Sequence, residues 1–127
     1  MQAENQQLTV NSQDPLVLAA LAAANMSYAP YSFGYSGVAL ATADGSVYAG
    51  AYAENAAFNP SMSPMETAVS QLNIGGGNVG NIRRAVLVEV QNGVSSQVHS
   101  ATAVLSSISG VQLEICYATA SAHAARK

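Results

Sequence analysis

The chain has 127 residues, half of them apolar, enough to close one sizeable hydrophobic core. Only 9% are charged and the net charge is −3; two of the four Lys/Arg are Arg126 and Lys127 at the very end. That balance excludes a basic footprint for nucleic acid and an electrostatic hold on an anionic membrane.

Residues 1–13 are Gln/Asn/Ser-rich without periodicity and read as an arm or linker. "MQAENQQLTV" has neither the basic nor the apolar stretch of a signal peptide. Asp14 then supplies an N-cap and Pro15 a first helical position, opening a helix that ends near Asn25. It is apolar almost all round, which predicts burial on more than one side. Its core, Leu16–Ala24, is far too short to span a bilayer.

"MSYAPYSFGYSG" reads as a loop. "GVALAT" and "SVYAGAYAE" flank "ADG", a hairpin signal with Asp44-Gly45 at the turn. A helix is expected from Pro64 to Asn73, opened by "SPME", the S-x-x-E pattern in which Ser63 receives the amide of Glu66 and Glu66 reaches back. "GGGNVG", Gly75 to Gly80, matches G-x-G-x-x-G, but a helix precedes it and a strand follows. A dinucleotide site needs the reverse order, so the stretch reads as a helix C-cap and loop.

"RRAVLVEV" suits a buried strand, "HSATAVLSSIS" a short helix closed by Gly110, and "VQLEICYA" the last strand. Residues 118–127 read as a frayed Ala-rich tail without function, leaving 14–117 as the single domain. The order α-β-β-α-β-α-β implies a mixed sheet between helices, a three-layer α-β-α sandwich of the α/β class.

Cys116 is the single cysteine and suits a reducing cytoplasm; it reads as a small buried hydrophobe. His99 reads as a cap or surface residue, and His99, His123 and Cys116 show no metal-ligand spacing. The scarcity of charge points to surface hidden in an oligomer or against a partner domain.

"YAPYSFGYSGVALATADGSVYAGAYAENAAFNPS", from Tyr28 to Ser61, resembles the cytidine deaminase family: a Pro-Tyr-Ser loop, a Gly-Val-Ala-Leu strand, an Asp-Gly turn and a Glu-Asn-Ala stretch. The resemblance extends over residues 14–117 and shares the element order. It implies zinc-dependent hydrolytic deamination of cytidine or deoxycytidine in pyrimidine salvage, with a glutamate that is not a ligand moving protons. In the family the metal sits at two helix N-termini, on a C/H-A-E motif and a P-C-x-x-C motif. Carried over without gaps from Glu54, these place Ser63 at the first ligand and Met65 at the glutamate. Ser96 falls near the proline, and Gln97 and Ser100 near the two cysteines.

A one-residue slip that made Glu66 the acid would make Pro64 the ligand, which proline cannot be. The expectation is therefore no metal and no catalytic residue, with Glu66 a helix cap. Of the ribose-binding Asn-x-Glu only Glu54 survives, in Tyr52-Ala53-Glu54, and Gly34 stands at the ring-stacking phenylalanine. "SGVAL", "YAENAAFNP" and "RRAVLVE" look most like the non-catalytic C-terminal domain of the two-domain, homodimeric bacterial members. That implies an upstream catalytic domain and a second copy as partners, in the cytoplasm. The alternatives are an active deaminase with another metal site, and a nucleoside-binding module that uses Glu54 without catalysis.

Overall fold

In the computed structural model the described residues are 8–27, 35–51, 63–90 and 96–120. Strands β1 (Leu8–Thr9), β2 (Ser36–Thr42), β3 (Val47–Ala51), β4 (Ile82–Val90) and β5 (Leu113–Ala120) alternate with helices α1 (Pro15–Asn25), α2 (Pro64–Ile74) and α3 (Val98–Ile108). The five strands form one sheet in the order β1-β5-β4-β2-β3. It is mixed: β4 and β5 run parallel, and every other neighbouring pair runs antiparallel.

Alternation along the strands sorts side chains onto two faces. Val38, Leu40, Ala85 and Leu87 meet Met65, Leu72, Ala101 and Leu105 of α2 and α3. Ala39, Val86, Val88 and Ala118 meet Leu16, Val17, Ala20 and Ala24 of α1. The result is the expected three-layer sandwich. Both helix layers approach closely because the sheet offers glycine where they cross. A Cβ on Gly37 would lie 2.4 Å from the Ala24 amide nitrogen, and one on Gly50 2.4 Å from that of Ala68.

The helix starts follow the sequence signals. The Asp14 carboxylate accepts the Leu16 amide, Ser63 Oγ accepts the Glu66 amide, and proline follows each cap. The hairpin turn is held by Asp44, whose carboxylate accepts the Thr42 hydroxyl and the Ser46 amide. Gly75 caps α2, and a single 3₁₀ turn over Val79–Asn81 leads into β4.

Three expectations are corrected. Residues 8–9, read as linker, form a strand: Leu8 is buried, and the Asn25 side chain bonds both its amide and its carbonyl. Residues 118–120, read as frayed tail, belong to β5 and pair with that strand. Helix α1 buries one face only, leaving Leu18 39% exposed, because the sheet covers just one side of it.

Candidate functional site

The N-termini of α2 and α3 lie at the same end of the sheet. Gly50, near the end of β3, receives the first turns of α2, since its absent Cβ would strike Pro64 O and Ala68 N. Glu89, near the end of β4, receives α3. Between these strands runs β2, whose Ser36 lies opposite Glu89 and whose Val38 lies opposite Gly50. Helix N-termini at this end of the sheet favour negative charge near them through their dipoles and free amides.

The side chains actually present are poor in charge. Ser63 is buried and committed: its Oγ accepts the Glu66 amide at 3.1 Å, while its carbonyl accepts the amide and hydroxyl of Thr67. The Glu66 carboxylate is exposed in the same first turn, and among the described residues it makes no return bond to the cap. Met65 is completely buried in the apolar cluster between α2, α3 and the sheet. Gln97 is buried at the N-cap position of α3 but makes no side-chain cap bond, and Ser100 is exposed.

Glu89 is the feature the sequence reading missed. It is buried, and its two carboxylate oxygens each accept one bond from the start of α3. Oε1 takes the Gln97 amide at 2.9 Å and Oε2 the Ser96 hydroxyl at 2.8 Å. Ser96 Oγ in turn accepts the Val98 amide at 3.2 Å. The signal was present in "RRAVLVEV": a single carboxylate at a core-facing position of the apolar run that follows Arg83 and Arg84.

Zinc needs thiolate, imidazole or carboxylate donors, four for a structural site and usually three for a catalytic one. The positions where the resemblance puts ligands, Ser63, Gln97 and Ser100, carry hydroxyl and amide side chains, and the Ser63 hydroxyl already serves a helix amide. Among the described residues no three of His, Cys, Asp and Glu gather into a group able to hold a metal ion. His99 is exposed on α3, while Cys116 packs toward α1 on the opposite face of the sheet. The residues described do not fit zinc. Glu54, Gly34 and His123 lie outside the described residues.

The other charged cluster lies on the α1 face. Arg84 donates to both oxygens of Asp14 and to both of Glu114, with its closest contacts at 2.7 and 2.6 Å. Its guanidinium holds both carboxyls below their ordinary range, aided at Asp14 by the Leu16 amide, and the pairing raises Arg84 itself. The cluster joins α1, β4 and β5 at the surface and has no access to the α2/α3 turns, because the sheet intervenes. A groove of about 520 Å³ between α3 and β5 is lined by Leu105, Ser109 and Leu113, at the C-terminal end of α3 and away from those turns.

Residues 1–102 match the family model for the cytidine and deoxycytidylate deaminase zinc-binding region. The chain belongs to the cytidine deaminase family. It is 55% identical over 108 residues to a cytidine deaminase of Aeromonas hydrophila, covering 85% of this chain and 37% of that protein. With a cytidine deaminase of Yersinia pestis it shares 54% over 104 residues, covering 82% of this chain and 35% of that one. The chain thus spans little more than a third of the curated relatives it matches. Among solved structures, the cytidine deaminase of Mycobacterium leprae superposes with a TM-score of 0.65 at 27% identity, covering 90% of this chain and 97% of the other. That of Burkholderia pseudomallei gives 0.67 at 24% identity, a likeness of fold, covering 87% and 94%.

Proposed function

We propose that this chain is the zinc-free, catalytically inactive C-terminal domain of a two-domain cytidine deaminase. Its role is to complete the assembly around a catalytic domain and a second copy, rather than to deaminate. The observation that carries this reading is Met65. At the position where the family resemblance puts the proton-moving glutamate stands a thioether with no exposed surface, packed into the core. A group that exchanges protons with substrate has to reach it, and this one reaches only Val38, Leu40, Leu72 and their neighbours.

Further observations support it. The donors at the ligand positions do not fit zinc, and the relatives are nearly three times as long as the region matched. The low surface charge and the exposed Leu18, Ile115 and Tyr117 suit a domain that buries surface against others. Glu54 is carried as a remnant of ribose binding, and the residues ahead of β1 join this domain to the catalytic one.

The test is elemental analysis of the purified chain together with cytidine turnover. The expected result is zinc well below one equivalent and turnover no faster than a metal-stripped control. Stoichiometric, tightly held zinc with turnover would overturn the proposal.

A further inference from the structure

We infer that Glu89 is a built-in anion that seats the N-terminal turn of α3, making the assembly of α3 on the sheet independent of metal. The inference rests on the zinc-free reading and gives it a physical basis. Loss of a metal at helix N-termini leaves their amides and dipoles without a counter-charge. Something has to satisfy them or the turns fray.

Helix α3 does not do this locally. It carries no acidic residue in its first turn, and Gln97 offers no side-chain cap. The carboxylate arrives from β4 instead. Glu89 is the one charged side chain among the buried described residues, and it is 5% exposed. A buried carboxylate is costly unless bonded, and each of its oxygens has a donor in the two residues that lead into α3, the Gln97 amide and the Ser96 hydroxyl. Ser96 extends the arrangement to the Val98 amide. Two consecutive backbone amides opening the helix region, at Gln97 and Val98, are thus satisfied directly or through one hydroxyl.

The contact is also placed to matter for the core. Glu89 stands in register between Ser36 on β2 and Tyr117 on β5. Ala101 and Leu105, one and two turns along α3 from the bonded amide, are buried in the cluster that includes Met65 and Leu87. Fixing the first turn of α3 fixes the depth at which those residues pack. The turn so held is the one on which the family resemblance puts the second metal motif. An internal carboxylate and a bound metal therefore act at the same turn by different means.

The experiment compares Glu89→Gln, Glu89→Ala and Ser96→Ala by thermal unfolding and amide hydrogen exchange, each with and without a chelator. Glu89→Gln preserves size and one acceptor but removes the charge. Its expected effect is a Tm lower by about 5 °C, with Gln97 and Val98 amides exchanging at least roughly tenfold faster. Glu89→Ala, which leaves both donors unmatched, is expected to lose about 10 °C, and Ser96→Ala to speed exchange at Val98. The chelator is expected to change nothing in any of them. Should Glu89→Ala fail to fold, the other two variants still decide the matter. Unaltered Tm and exchange in Glu89→Gln, with no zinc in the wild-type chain, would overturn the role of Glu89 alone. Bound zinc with a chelator-sensitive Tm would overturn the metal-free reading and this inference together.

Discussion

Replacing Met65 by glutamate puts a carboxyl where the proposed reading places the family's acid, and the structure says what should follow. Met65 is fully buried in an apolar cluster, so an ionised carboxylate there would lack both water and partners. It would protonate instead. Taking a carboxyl of ordinary pKa about 4.3 neutral at pH 7 costs roughly 3.7 kcal/mol, at 1.36 kcal/mol per unit. Burying a neutral carboxyl with unmatched bonds adds about 1–3 kcal/mol. The total, about 5 kcal/mol or more, is a large share of the roughly 5–15 kcal/mol that holds a typical domain folded. Met65→Leu, which keeps apolarity and nearly the volume, should cost less than about 1.5 kcal/mol.

The assay is urea unfolding of both variants at pH 7 and pH 5. In Met65→Glu the folded-state pKa is raised above the unfolded one. Stability relative to the leucine variant is then greatest below the unfolded pKa and falls as pH rises toward the folded one. Between pH 5 and 7 the glutamate variant should therefore lose about 2.7 kcal/mol that the leucine variant does not. Equal stability of the two at pH 7, without extra pH dependence, would refute the reasoning. It would mean that water reaches the position and that a catalytic acid could work there.

Gly50→Ala should lower stability by about 1–3 kcal/mol, because its Cβ would fall 2.4 Å from Ala68 N and 2.5 Å from Pro64 O, backbone atoms that cannot swing aside. Gly110→Ala, which meets nothing within 4 Å, is the control, and thermal melts of the pair check the prediction. Arg84 lowers the pKa of Asp14 and Glu114. The stability they contribute is present above their unfolded values, near 3.8 and 4.5, and is lost as pH falls through the lower folded ones. Arg84→Met should flatten that acid limb in unfolding measured from pH 6 to 2, and added salt should weaken the wild-type effect.

Sequence carried the local decisions well, because each rests on neighbours in the chain. Asp14-Pro15 and Ser63-Pro64 start helices where a short polar side chain can take up orphan amides and proline holds φ. Asp44-Gly45 closes the hairpin, and the apolar run of β4 marks a strand covered on both faces. Glu66 was the partial case: its amide takes the cap bond, while the carboxylate makes no return bond among the described residues.

What the sequence by itself determined is therefore the order of elements and the caps that open α1 and α2. The tertiary structure alone decided the pairing of Leu8–Thr9 with Thr119–Ala120, the one-sided burial of α1, and the meeting of Glu89 with α3. Periodicity reports which face of an element is apolar, whereas those three outcomes depend on which distant segment covers it. A carboxylate on a strand has no local mark that says whether it meets water or a helix amide; only packing supplies the partner.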